Sequence, residues 1–547
     1  MKTTIKLYIL LGITVGAFSC QDVLDENPRG QLYPTEILSS VSMAESTVSA
    51  LYGILVSESR GGLSGVATHG VTPAAQRYAS YLKDVPGEDL WVSNTGQVSR
   101  TAIDMFTHTY DGNDNLDRMY YSYYRGIKDC NFVINGLKNA DFSDEQPFNG
   151  DREAAEKYRL QCIGQALAIR SYLYFDLVRL WGDVAVVPEE LVIDNDMKIS
   201  RQAMPSVYRD VIIPDFWKAI EQLGDLEAGD GALTRITADA CKALLAEVYL
   251  TIAGRVYDKG IAEAFAGENL KTRADFYGEC VRLCAELEGK YTLHPHFAEL
   301  FTILGNHSSE SVWEVQTLRN NFPMEGAPVS LSDNIRLFPY IANGITQYLT
   351  DASYGRWCIA NVLYEMYDPV YDTRLENVVA ISNTYNADIP PITTWRTLKY
   401  CDETVISRQK YSLIDSNTAW KCIRYAHVLL MRAEALNELG RTAEAGIFLD
   451  EVRKRAYRGN VDKIPAAPVL QPDFRKEVWE ERRKELFGEC YRYFDMQRTN
   501  TLHYAEMEPA GSKHDTYPVV EEKHYLFPIP KIAFDNNPQL GDQNPGW

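Results

Sequence analysis

At 547 residues, with 45% hydrophobic and 24% charged side chains, the chain has the make-up of a globular protein able to bury a large core. Length alone suggests two to four domains, although a helical array can run on as one body. A formal charge of −20 argues against nucleic acid and against a polybasic membrane surface as partners.

The N-terminus sets the compartment. Lys2 and Lys6 precede an apolar run from Leu7 to Phe18, followed by Ser19-Cys20. That run is shorter than the ~20 residues a membrane-spanning helix needs, so residues 1–19 read as an export signal. A small residue directly before cysteine resembles a bacterial lipobox, which implies cleavage before Cys20 and a lipid on its thiol. Each buried acyl methylene contributes about 0.8 kcal/mol, so several chains hold a protein on a membrane. Plain secretion with an incidental Cys20 is the alternative.

Ala44 to Val56 reads as a short amphipathic helix. From Ser57 to Asp117 the pattern dissolves into Gly, Ser, Thr and Asn, with Tyr78, Tyr81, Trp91, Phe106 and Tyr110 interspersed. So long an irregular stretch inside a compact body is more often functional or disordered than incidental. Asp111, Asn113 and Asn115 mimic the start of a calcium loop, but Leu116 and Ser122 stand where Gly and Glu belong. A turn capping the following helix is the plainer reading; a looser calcium site stays open, and no cofactor is predicted.

Helical periodicity returns from Leu116 to Leu137 and from Asp151 to Trp181, where Gly182 closes the helix. Val207 to Leu223 follows, with Pro214 expected to kink or restart it. Thr237 to Gly254 and Ala274 to Leu287 form a helix pair, with Cys280 and Cys284 one turn apart. His294 and His296 read as loop histidines, and Ser311 to Thr317 as a short buried strand with Trp313 in the core. Phe338 to Trp357, rich in Tyr, Gly and Asn, reads as loop.

The stretch from Cys422 to Tyr457 organises the rest. Leu429, Ala433 and Leu436 share one helical face, Gly440 supplies a left-handed cap, and Thr442 is the expected N-cap of a second helix. That helix carries Ala445, Phe448, Leu449, Val452 and Ala456. Two such helices form a tetratricopeptide-like hairpin, which cannot bury its apolar face alone and so implies neighbours. The run AEVYL before Gly254 echoes AEALN before Gly440. Pro472 to Arg498 reads as one charged helix with Glu480 and Lys484 at i,i+4, and the C-terminus as proline-punctuated chain on the surface. Cysteines beyond residue 20 number nine, scattered and without CxxC spacing, so they indicate neither a disulfide framework nor a metal site.

No GxxxxGK[ST], HExxH, GxSxG or GxGxxG is present. Ser80 to Lys83 is formally SxxK and Ser332 to Asn334 formally SDN, but no KTG follows and the helical scaffold is wrong for a β-lactamase. Binding chemistry is better supplied. The chain holds 34 Tyr and 9 Trp. Sugar rings stack their C–H faces on such aromatic planes, and their hydroxyls need donors and acceptors. Arg77, Tyr78, Tyr81, Trp91 and Asn94 in the first irregular region, and Tyr348, Tyr354 and Trp357 in the second, provide this mixture. For each of them, packing the loop onto the helices is the competing reading.

CQDVLDENP, AIRSYLYFDLVRLWGDV, IRYAHVLLMRAEALNELG, EERRKELFGECYRYFDMQR and the closing LFPIP with QNPGW, in that order, resemble the SusD/RagB family of Bacteroidetes surface lipoproteins. The resemblance spans the mature chain. Two departures are Cys490, where the family often has glycine, and Trp547 for the usual tyrosine. It implies a mainly α scaffold of tetratricopeptide-like helix pairs, with loop-rich insertions and a few short strands. The expected parts are 20–288 and 289–547, forming one body. It further implies a non-enzymatic protein on the outer membrane, facing the cell exterior, that captures a glycan and passes it to a SusC-like TonB-dependent transporter. Peptide capture on the same scaffold is the alternative. A glycan hydrolase would instead need two facing carboxylates about 5–9.5 Å apart.

Overall fold

The central hairpin forms where its residues place it. In the computed structural model, which describes residues 37–58, 82–92, 106–111, 113–190, 198–226, 235–315, 336–337, 357–383, 392–397, 399–400, 418–504 and 519–547, helices span Tyr425–Glu438 and Thr442–Ala456. Gly440 sits at φ 77°, the Gly440 N–H donates to Asn437 O, and the Arg441 N–H donates to Leu436 O. This pair of bonds closes the first helix with glycine in the left-handed position. The second helix begins differently from expectation. Its N-cap is Arg441, which makes no side-chain cap bond, while the Thr442 hydroxyl donates to Asn437 Oδ1 at 2.8 Å.

The helices, numbered in chain order, are α1 (Val41–Val56), α2 (Asp114–Leu137), α3 (Arg152–Trp181), α4 (Ile213–Leu223), α5 (Ala238–Ala253), α6 (Arg273–Ala285), α7 (Tyr425–Glu438), α8 (Thr442–Ala456), α9 (Gln471–Leu486) and α10 (Arg492–Arg498). From α2 to α7 each packs on the next, and α8 and α9 both pack on α7. Their ends obey local chemistry. Asp151 accepts from the Ala154 N–H, Thr237 accepts from the Ala240 N–H, and Thr272 with Asp275 forms a capping box. Asn113 Oδ1 accepts the Leu116 N–H, the capping turn expected at that position. Pro214 neither ends nor restarts the helix: residues 204–223 are one unbroken helical run, Met204–Val207, a π-helical turn over Tyr208–Ile212 and then α4, and the π turn takes up the backbone bond that the proline cannot donate. Cys280 and Cys284 are buried, reduced thiols, and His294 lies in a loop with its Nδ1 on the His296 backbone.

Strands are few and short. They are β1 (Leu90–Val92), β2 (Ser311–Val315), β3 (Trp357–Ile359), β4 (Val378–Asn383), β5 (Ile392–Thr397) and β6 (Trp420–Arg424). The predicted strand β2 pairs antiparallel with β6, and Trp313 is buried with its ring edge-on to Tyr172. A four-stranded antiparallel sheet runs β1-β3-β5-β4. Two-residue pairs at Ser57–Glu58 with Arg336–Leu337, and Val184–Ala185 with Arg201–Gln202, complete the set among the described residues.

Two expectations fail in the C-terminal part. Residues 472–498 form two helices rather than one. Gly488 and Cys490 both hold positive φ, 70° and 71°, so the chain turns between α9 and α10. A left-handed φ explains why glycine suits position 490, and Cys490 occupies it with its thiol buried. The charges of α9 are also not a solvated face: Glu481, Arg482 and Glu485 are buried, and Lys484 pairs with Glu481 at 3.2 Å, its i,i+3 neighbour. The second failure is the C-terminal segment, which does more than wrap the surface. Phe527 and Ile529 enter the core and Lys531–Asn536 is helical. The Phe527 N–H donates to Leu180 O at 2.7 Å, and the Trp547 indole donates to Lys523 O and Leu526 O.

One repeat emerges only in three dimensions. Tyr174-Phe175-Asp176-Leu177-Val178-Arg179 ends α3, and Tyr493-Phe494-Asp495-Met496-Gln497-Arg498 ends α10. In each, the arginine bonds the aspartate three residues before it, at 2.5 Å in the first and 2.7 Å in the second. Each arginine then reaches a buried glutamate that follows an alanine on a neighbouring helix: Arg179 to Glu247 on α5, Arg498 to Glu434 on α7. The copies meet where the Arg179 guanidinium lies between the Phe175 and Phe494 rings, 3.7 and 3.8 Å from their centroids.

Candidate functional site

The two aromatic-rich regions singled out in the sequence come together at the four-stranded sheet. Strand β1 carries Trp91 and strand β3 begins at Trp357. Their register pairs Leu90 with Ile359, Trp91 with Cys358 and Val92 with Trp357. Alternation along extended chains therefore puts position 357 on the face shared by the buried Leu90 and Ile359, and position 91 on the opposite face. Ile359 also pairs with Trp395 of β5. The structure thus brings positions 91 and 357 to adjacent strands and separates them by face. Arg77, Tyr78, Tyr81, Asn94, Tyr348, Tyr354 and Cys20 lie outside the described residues, as do Ser80 and the segment 332–334.

The root of the first region is fixed to the scaffold by a succession of charged contacts. Lys83, buried, pairs with Asp176. Asp84 accepts the Cys490 N–H on both oxygens, at 3.1 and 3.0 Å. Glu88 and Asp89 pair with Arg483, and Glu88 also with Arg492. The Asp89 carbonyl then accepts the Ala360 N–H at 2.9 Å, tying the root to the strand beyond β3.

The chain that follows the second region is held by the same end of α9. The Lys399 ammonium donates to Glu489 Oε1 at 2.8 Å, Phe487 O at 2.9 Å and Glu485 O at 3.1 Å. Arg374 bonds Asp372, Glu481 and Glu485, and the Tyr367 hydroxyl donates to Lys484 O. Arg424 joins Glu310, Glu485 and Glu489, and Arg455 joins Glu310 and Glu485.

These groups are buried, so their protonation equilibria are displaced. Burial alone would push Glu485 up, yet Arg455, Arg424 and Arg374 outweigh it and hold the carboxyl down at about 2. Burial lowers Lys399 to about 8 against the pull of Glu489. Burial pushes Asp84 up to about 7, with the Cys490 N–H pulling it the other way. A buried pair broken on one side costs about 3–5 kcal/mol, because a charge is left without a partner.

Sequence reasoning missed this clamp. The signal was available: Glu481, Glu485 and Glu489 recur every four residues, one helical face of carboxylates. Their partners, Arg374, Lys399, Arg424 and Arg455, are spread along the sequence at no regular spacing, and a single chain gives no means of matching them.

Residues 356–547 match the SusD family, and residues 64–250 match a family described as starch-binding associating with outer membrane. The chain is similar to SusD-like protein P2 of Formosa agariphila, 24% identical over 568 residues with all of both chains covered. SusD-like protein P25 of the same organism is 21% identical, with 98% of this chain and 97% of that one covered. Among solved structures, a SusD homolog from Bacteroides thetaiotaomicron superposes with TM-score 0.70 at 19% identity, covering 94% of this chain and 98% of its own. Surface glycan-binding protein A of Bacteroides thetaiotaomicron, in complex with laminarihexaose, gives TM-score 0.67 at 18% identity, covering 92% and 99%. The mainly helical fold of the SusD superfamily is the fold seen here.

Proposed function

The chain belongs to the SusD/RagB family, and from that premise we propose that it captures a glycan at the cell surface with the two aromatic-rich regions and hands it to a SusC-like TonB-dependent transporter. The observation that carries this reading is the β1–β3 pairing, which ties the segments bearing Trp91 and Trp357 into one sheet. The similar protein solved with laminarihexaose supports a saccharide as the ligand class. The charged clamp at 481–489 gives the reading its mechanism. A site built from two distant segments binds well only if both are held in place beforehand, so that less ordering entropy is lost on capture. Aromatic planes supply stacking, and arginine and asparagine side chains supply hydrogen bonds to hydroxyls.

Capture without chemical conversion follows from the same premise. The membrane attachment belongs to the proposal too: a lipid on Cys20 holds the protein on the outer membrane, facing outward. No helix among the described residues is long and apolar enough to cross a membrane.

The test is binding by the chain lacking residues 1–20 to a panel of host and plant glycans and peptides, beside Trp91→Ala. Saturable binding to one glycan class that falls about tenfold or more with Trp91→Ala is the expected result; loss of one aromatic stacking partner is worth about 1–3 kcal/mol. Peptide-only binding would transfer the role to peptide capture, and glycan binding unchanged by Trp91→Ala would move the site. Co-purification of the tagged full chain with a TonB-dependent transporter from the outer membrane tests the partner.

A further inference from the structure

A cleft of about 760 Å³ opens where the two Tyr-Phe-Asp repeats meet. None of its lining comes from residues 82–92 or from the β1-β3-β5-β4 sheet. Arg179, Phe494, Gln497 and Arg498 form part of its lining. The π-helical turn contributes Tyr208, and the C-terminal segment contributes Tyr525 and Asn544. This volume lies within the ~300–1,000 Å³ usual for small-molecule sites.

The charge on this wall is balanced. Arg179 is neutralised by Asp176 and Glu247, and Arg498 by Glu434 and Asp495. Lys83 and Arg482 complete the group behind them, four cations against four carboxylates. At the rim Arg255 and Lys259 share Glu522, and Lys523 lies 3.4 Å from Glu521, so each cation lining the cleft has a carboxylate beside it. What remains is neutral hydrogen-bonding capacity. The Tyr208 hydroxyl and Arg179 Nε are buried with no hydrogen-bond partner among the described residues. Such groups cost free energy until an acceptor reaches them. Around them lie apolar side chains, including Val256, Leu526 and Pro545. Flat apolar surface combined with uncharged or neutralised donors suits a hydroxylated ring with C–H faces.

We propose that this cleft is a saccharide site of its own, taking one or two neutral sugar rings, with Tyr208 and Arg179 as donors to ring or hydroxyl oxygens. Nothing in it depends on what the insertions bind. The test is hydrogen-exchange mass spectrometry on the full chain with maltose, cellobiose, laminaribiose and lactose, and with glucuronate as the charged control. At least one neutral disaccharide should slow exchange at 203–208, 251–264 and 522–526, while glucuronate should not. Ala264→Trp, which fills the cleft from its half-exposed rim, should abolish the protection. Tyr208→Phe should weaken binding about three- to tenfold without lowering the melting temperature, since its hydroxyl bonds nothing in the free protein. A structural hydroxyl would behave the other way. Trp91→Ala should leave the cleft signal intact, which separates this site from the insertion face. No protection by any of the four disaccharides overturns the proposal, as does equal protection in Ala264→Trp or a preference for glucuronate.

Discussion

The two Tyr-Phe-Asp repeats solve the same local problem and then diverge. Asp176 and Asp495 each bond the arginine three residues on, and each arginine reaches a glutamate on a neighbouring helix. The second cation on each aspartate differs. Asp495 takes Arg482 from α9, 3.0 Å away, with the buried His427 ring against that guanidinium. Asp176 instead takes Lys83, from the root of the first aromatic-rich region. One copy is thus closed within the C-terminal helices and serves as a lock. The other lends one coordination position to the segment that leads into the four-stranded sheet. The same device thus closes on itself in one copy and anchors an insertion in the other.

The lock can be broken most completely at its centre. Asp495→Ala leaves Arg482 and Arg498 facing each other across a buried gap, and should cost about 3–5 kcal/mol in urea unfolding. A loss below about 1 kcal/mol would mean that Glu434 and His427 suffice and that the aspartate is not the keystone. The contrast between copies is sharpened by removing the second cation from each. Lys83→Met leaves Asp176 with Arg179 and the Tyr123 hydroxyl, so the scaffold should survive while amides of 82–92 exchange faster and ligand binding weakens. Arg482→Met should lower stability without altering exchange at 82–92. Equal effects on those amides would erase the distinction.

The smallest expected effect is a dependence on pH. Asp84, raised to about 7 chiefly by burial, binds its proton more tightly in the folded chain than the ~4 of an unfolded aspartate. Its ionisation therefore withdraws stability as pH climbs from about 4 to about 7. Asp84→Asn keeps an acceptor for the Cys490 N–H and removes the titration. The variant should match the parent near pH 4 and exceed it at pH 8 in thermal melts. Glu485 and Glu314, both held down at about 2 by their cationic partners after burial pushes the other way, carry the opposite sign. They add stability above about 4.5 that is lost as pH falls toward 2, in parent and variant alike.

Helices and their glycine caps were legible because each depends on residues a few positions apart. So was the strand at Trp313, whose alternation fits a buried ladder. Thr442 misled because the backbone placed Arg441, not the better capping residue, at the helix boundary. The charged run 472–498 misled more deeply. Alternating Glu and Arg look like a solvated face until partners from 374, 399, 424 and 455 arrive to bury them. At the candidate site, Trp91 and Trp357 were identifiable by residue type. Their adjacency follows from pairing two strands far apart in sequence, which no local pattern encodes.

That pairing also has a temporal side. Leu90–Val92 can meet Trp357–Ile359 only after the chain between them has been drawn in, and contacts of large sequence separation are slow to form because loop closure must precede any gain. Helical hairpins such as α7–α8 need no such wait. A newly made chain is therefore expected to assemble its helical body first and its four-stranded sheet last. Ligand present in the surroundings would then act as a folding partner, binding the sheet once the charged clamp has set its two segments side by side.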